Sequence, residues 1–364
     1  MKKKFYYIDF LRIFSMLSVI MLHVVADLLR FKYGSVEWHF SNIITSVISV
    51  AVPVFFMISG ALLLSNEKSS SVKGLFKTRL TKIIIPFLFW SIIAIGYYFI
   101  ADAYRNGAYG WDGLIYRIKN ILSQPATIHL WFMYALIPIY LLLPFLKTLI
   151  DKMEKTQAIY MLALWLICSV IYTTIQNLFP EAIRIPLTVN SAFNLNFIGG
   201  YIGFFVLGYY LHNFKINLKN KWLILIAIVD VCIIACGTYI FTTRYNGYFE
   251  GFKVYTGLFT TILSICIFLI FKNLFFNMEK FKYSKITDSV GAMSFPVYLV
   301  HNLIIDYLNI FEFIQPENGI IYITARFLFV FAVSYLIVFI MSKIKPLCFV
   351  STGIKYRGYC NEKN

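Results

Sequence analysis

The chain has 364 residues, of which 60% are apolar, 19% aromatic and only 14% charged. An ordinary globular protein is about 45–50% apolar, so a typical soluble domain is excluded, as is a chain left disordered by low hydrophobicity. The net charge of +16 would suggest a nucleic-acid partner in a soluble protein. Here the charges lie between apolar runs, and no nucleic-acid binding is expected.

A helix crossing the hydrocarbon core takes about 20 residues. Ten such runs occur, roughly 7–29, 42–64, 83–101, 128–146, 157–178, 194–212, 222–241, 254–271, 290–310 and 320–341. With the amino terminus in the cytoplasm, only Arg30, Lys32, Arg105, Arg117, Lys119, Arg184, Arg244 and Lys253 fall on the far side. Arg12 and Arg326 lie within spans, which leaves 23 of the 33 basic residues on the cytoplasmic side. Such asymmetry sets orientation. The expected fold is an all-α polytopic membrane helix bundle of about ten transmembrane helices with both termini cytoplasmic. Residues 1–364 form a single membrane-embedded domain without a separate soluble domain.

Cys168, Cys232, Cys236 and Cys266 lie within spans, and Cys348 and Cys360 in the cytoplasmic tail. None faces an oxidising compartment, so no disulfide framework is expected. Cys232 and Cys236 are one helical turn apart without further ligands, and no metal site is expected there. The first span is too long for a signal h-region and lacks a small-residue cleavage site, so it is read as retained. No internal repeat of the kind found in many secondary transporters is evident.

Ionisable groups inside spans are costly unless they are paired or line a polar cavity. They are Arg12, His23, Asp27, Asp230, His301, Asp306 and Arg326. Arg12 and His23 are eleven residues apart; at about 100° per residue this is within about 20° of three full turns, and the axial separation is about 16 Å. They share one helix face, Arg12 near the cytoplasmic mouth and His23 in the outer half. Arginine suits phosphate through its planar fork, and histidine exchanges a proton near neutral pH. An acyl-coenzyme A reaction needs such a pair: an anchor for an anionic nucleotide and a base at the end of its thioester arm. The alternative is that Arg12 snorkels to headgroups and His23 is a hydrogen-bonded core residue. Asp9, three residues before Arg12, is placed to orient the guanidinium.

The stretch YIDFLRIFSMLSVIMLHV resembles the opening helix of the acyltransferase-3 family of integral-membrane acyltransferases, whose signature is Arg, ten residues, His. Arg12 and His23 match it. The resemblance continues through VPVFFMISGALLL at 52–64, TRLTKIIIPFLFW at 78–90, HLWFMYALIPIYLLLP at 129–144, GFFVLGYYL at 203–211 and SFPVYLVH at 294–301. It implies transfer of an acyl group, usually acetyl from acetyl-CoA, onto a sugar hydroxyl of a cell-surface polysaccharide or its lipid-linked precursor. The family has a second basic motif, Arg-x-x-Arg, near the start of span three. This chain carries Arg79-Leu-Thr-Lys82 there, and lysine keeps the charge but loses the fork.

The resemblance therefore makes His23 the catalytic residue and Arg12, Arg79 and Lys82 the donor-binding residues. His129 and Trp131 open span four from the outer side, where they either share a cavity with His23 or act as interfacial anchors. His301, with Tyr298 one turn earlier, either lines that substrate cavity or hydrogen-bonds a neighbouring helix. Asp230 is read chiefly as a structural pair with a basic residue, with a proton-relay role as the alternative, and Asp27, Asp306 and Arg326 as cleft residues or an ion pair. Gly60, Gly199, Gly200 and Gly208 are read as close-packing positions. The partners implied are acyl-CoA, a surface glycan or lipid-linked sugar, and the bilayer. The lysine-rich, Ile/Phe/Tyr-rich and alanine-poor composition is compatible with an AT-rich bacterial genome, which would place the protein in a bacterial plasma membrane. Alternative readings are a polysaccharide exporter or flippase of the same fold family, and a scaffold for a glycan synthase.

Overall fold

The structure is a computed structural model describing residues 4–107, 110–193, 199–278, 284–316 and 319–356. Lys2, Lys3, Lys280, Lys282, Arg357, Lys363 and Cys360, and the beginning of the run expected from 194, lie outside the described residues. Among those described, every regular element is helical. In chain order the helices are α1 (Tyr6–Phe31), α2 (Val36–Ile48), α3 (Ala51–Leu63), α4 (Val72–Gly74), α5 (Thr81–Asn106) and α6 (Trp111–Lys119). Then come α7 (Trp131–Leu141), α8 (Leu143–Lys152), α9 (Lys155–Trp165), α10 (Tyr172–Leu178), α11 (Glu181–Arg184) and α12 (Tyr201–Asn213). The last five are α13 (Asn220–Tyr245), α14 (Leu258–Phe275), α15 (Ser284–Ile310), α16 (Ile320–Lys343) and α17 (Lys345–Thr352). Two π-helical turns, Leu75–Leu80 and Leu166–Ile171, interrupt this series.

Neither glycine nor proline falls within α1, so its backbone ladder runs unbroken for 26 residues. The run expected at 42–64 instead divides into α2 and α3. Pro53, third in α3, supplies no N–H to the carbonyl of Ser49, which lies at the break. Seven stretches are long and apolar enough to cross a membrane, and an eighth is the pair α7 and α8, broken at Leu142. Two expected runs fall short of that measure. Only 13 residues of α12 are helical in the described chain, and α15 carries His301, Asn302 and Asp306, which dilute its 27 residues. The architecture is an all-helical membrane bundle, with seven to eight spans supported directly rather than the ten expected.

Contacts divide the chain into two compact units, each built from two stretches. The first comprises residues 1–70 and 143–291, the second 71–142 and 292–364. In the first unit α3 packs along α12, α13 along α14, and α1 against α2, α3 and α14. A Cβ added at Gly60 would strike the backbone of Phe205, and one at Gly208 the backbone of Met57. The two contacts mirror one another across an antiparallel pair, so both glycines are the close-packing positions expected. Gly200 differs: nothing lies near its missing side chain, and its φ of +67° is what the start of α12 requires. In the second unit α17 packs on α5, where Trp90 Nε1 donates to the Ser351 carbonyl at 2.9 Å.

Candidate active site

In the first unit, Arg12 and His23 stand on the one continuous helix α1, so the eleven-residue spacing keeps them on one face. Arg12 Nη1 donates to Asp9 Oδ1 at 3.2 Å, the anticipated contact one turn away. Asp9 also lies 3.5 Å from Lys4 Nζ, and Lys4 pairs in turn with Asp288 at the start of α15. The guanidinium thus ends a four-membered chain of alternating charge. It remains 35% exposed while Asp9 is 14% exposed, so the carboxylate is fixed and the arginine accessible. His23 is half-buried.

In the second unit, Arg79 falls within the π-helical turn Leu75–Leu80, and Lys82 is the second residue of α5. Single π turns within helices are frequent at functional sites. Arg79 is half-buried, and its Nη1 is buried without a hydrogen-bond partner among the described residues. A guanidinium nitrogen withdrawn from water and left unbonded is costly, and a phosphate oxygen would satisfy it. Lys82 is exposed, and its carbonyl lies against Gly353 at the end of α17.

His129, Tyr298 and His301 come together in the same unit. The rings of His129 and His301 have centroids 4.7 Å apart at 67°, and the Tyr298 hydroxyl donates to the His129 carbonyl. His129 Nε2 lies 3.3 Å from the Leu299 carbonyl. A carbonyl only accepts, so Nε2 carries the proton and Nδ1 takes the Thr127 hydroxyl at 2.7 Å. His301 Nδ1 donates to the Tyr298 carbonyl at 2.7 Å. His129 is 2% exposed and His301 fully buried. His129 is therefore a locked core residue and not an interfacial anchor. Trp131, the first residue of α7, is half-buried beside Phe132.

Other intramembrane charges are placed differently from expectation. No ion pair among the described residues includes Asp230, which is 4% exposed with Oδ2 unbonded, so the anticipated pairing is absent. Arg326, 2% exposed, spends its donors on neutral oxygens: the carbonyls of Ile314 and Ile305, at 3.2 and 3.3 Å, and the side chain of Asn309. It staples α15 to the following loop, and its charge also acts on Asp306. Asp306 accepts from the Tyr98 hydroxyl and from Asn302 at 3.0 Å. Asp27 is exposed.

Lys253 was not singled out by sequence reasoning. In the first unit its Nζ reaches Asn42 Oδ1 at 2.6 Å, Thr45 Oγ1 at 2.8 Å and the Asn42 carbonyl at 3.3 Å, tying the segment between α13 and α14 to α2. One signal was available: it is among the few basic residues on the lysine-poor side. Among the described residues no three His, Cys, Asp or Glu side chains gather as a metal site would need.

A family match completes this picture, since the Acyl_transf_3 family, described as an acyltransferase domain, matches residues 5–339. The chain belongs to the acyltransferase-3 family. It is a multi-pass membrane protein of an acyltransferase family, and the match spans both units and includes Arg12, His23, Arg79, Lys82, His129 and His301. No curated protein and no solved structure matches the chain.

Proposed function

We propose that this acyltransferase moves an acetyl group from acetyl-CoA onto a hydroxyl of a cell-surface polysaccharide or its lipid-linked precursor, in a bacterial plasma membrane. The observation that carries the reading is the unbroken α1 helix, which holds an accessible, Asp9-oriented guanidinium and a half-buried imidazole on one face about 16 Å apart. That span suits a donor whose charged nucleotide stays at the membrane surface while its thioester enters the bundle.

In this reading Arg12 engages a donor phosphate through its planar fork. His23 takes the proton of the sugar hydroxyl as the oxygen attacks the thioester carbonyl carbon. The carbon–sulfur bond breaks, and the departing thiolate recovers the proton from the imidazolium. An acyl-histidine intermediate would use the same residue in two steps.

The test is acyl transfer by purified His23→Ala and Arg12→Ala proteins with acetyl-CoA and envelope glycan as acceptor. The His23 variant should lose transfer, and the Arg12 variant should show a raised donor KM. Wild-type turnover in His23→Ala would overturn the assignment. Glycan movement that survives it and needs no acetyl-CoA would identify an exporter instead.

A further inference from the structure

The segment between α12 and α13 reads Phe214-Lys215-Ile216-Asn217-Leu218-Lys219, apolar and polar in strict alternation. It is extended at both ends, with φ −100° and ψ 142° at Phe214 and φ −69° and ψ 143° at Lys219. All six of these residues border one cavity, so the lysines and Phe214, Ile216 and Leu218 line the same recess. Those three are 51%, 37% and 36% exposed. An exposed apolar edge where a 26-residue membrane helix begins belongs at the lipid boundary. Trp222, 50% exposed with Lys221 over its ring at 5.2 Å, marks the same level as an interfacial anchor.

The segment is tethered. Lys272 Nζ on α14 donates to the carbonyls of Leu211 and Phe214 at 2.6 and 2.9 Å. Asn273 Nδ2 donates to the Leu218 carbonyl at 3.1 Å and to Asn220 Oδ1 at 2.9 Å. Between the segment and α14 lies a cavity of about 710 Å³ lined by Lys215, Lys219, Lys272, Asn217, Asn277 and Phe276 among others, with no carboxylate among the described residues of its wall. An ammonium has three donors, and the carbonyls use two of Lys272's. Lys219 is also the N-cap of α13 and offers no side-chain cap, so the partial positive charge of that helix end adds to the lysines.

We propose that this cavity binds the phosphate of an anionic phospholipid headgroup, with the acyl chains running along Phe214, Ile216 and Leu218. The apolar edge favours a lipid over a soluble phosphate, and a basic recess between membrane helices at the interface is the form such sites take. The site lies outside the acyl-transfer residues and stands whether or not the proposed acceptor is correct.

The test uses the full chain purified in detergent, with bound lipid counted by native mass spectrometry during titration with phosphatidylglycerol or phosphatidylcholine. Phosphatidylglycerol should be retained about tenfold better, and the double variant Lys215→Gln, Lys219→Gln should lower its affinity about 10- to 30-fold. Lys343→Gln with Lys345→Gln, an equal loss of charge elsewhere, should leave affinity unchanged. Equal retention of the two lipids, or equal losses in the two double variants, overturns the proposal. Inorganic phosphate and adenosine 3′,5′-bisphosphate should not displace the lipid; displacement by either would assign the cavity to a soluble phosphate and overturn the lipid assignment. Both lysines are on the protein surface, and an unchanged melting temperature without lipid establishes that the variant is folded.

Discussion

The histidines of the two units are held in opposite ways. In the second unit His129 has both ring nitrogens committed, to Thr127 and to the Leu299 carbonyl, and His301 has Nδ1 committed to the Tyr298 carbonyl. Both are essentially removed from solvent. In the first unit His23 is half-buried on the same face of α1 as an arginine that remains 35% exposed. The contrast predicts that the buried, carbonyl-bonded rings contribute to stability, because an unsatisfied partner there costs about 1–3 kcal/mol, and that His23 contributes to turnover.

The largest expected effect tests that division directly. His23→Ala should lower turnover by about 10²- to 10⁴-fold while leaving the melting temperature near that of the wild type. His129→Ala should do the reverse: a loss of about 1–3 kcal/mol in stability, read as a lower melting temperature, with transfer per folded molecule within about threefold. If His129→Ala abolishes turnover and melts normally, the division is wrong. Gly208→Ala belongs with the structural set. Its new methyl would meet the Met57 backbone, which cannot rotate away, and a cost of about 1–3 kcal/mol with unchanged donor KM is expected.

Next in size is the contrast between Arg79 and Lys82. Arg79→Lys keeps the charge but removes the fork whose Nη1 is buried without a partner among the described residues, and donor KM should rise about tenfold. Lys82→Arg should move KM by no more than about threefold, since that side chain is already exposed. Isothermal titration with coenzyme A would read the same order without turnover. Equal effects at the two positions would show that only net charge matters there.

What the sequence disclosed follows from the range of each interaction. The Arg12–His23 alignment and the Asp9 contact are helix arithmetic, and an uninterrupted α1 made that arithmetic valid. The apolar runs were legible because bilayer thickness fixes their length. Hydropathy does not register the breaks at Ser49 and Leu142 or the π turn under Arg79, which are matters of backbone hydrogen bonding. The Lys4–Asp288 pair joins residues 284 apart, and the His129–Leu299 bond residues 170 apart; no local pattern reveals such partners. Asp230 was misjudged for the complementary reason: a buried carboxylate implies a need for compensation but does not name its source.

The smallest predicted effect concerns Asp9, which is expected to act on the donor only through Arg12. Asp9→Asn keeps the side chain's shape and removes the charge that Arg12 and Lys4 share. Because both cations are more than a third exposed, solvent screens the interaction, and its loss should cost about 0.2–1 kcal/mol. As an orientation effect on the donor, this amounts to about a 1.4- to 5-fold rise in KM with kcat unchanged. Salt offers the discriminating readout, since the Debye length shrinks to about 3 Å at 1 M. Wild type and Asp9→Asn should converge in donor KM as salt rises, whereas a merely structural role for Asp9 would lower the melting temperature and leave the gap in KM insensitive to salt. A fall in kcat at all salt concentrations would mean that Asp9 touches the reaction itself, and Arg12 would then lose its place as the group through which this carboxylate works.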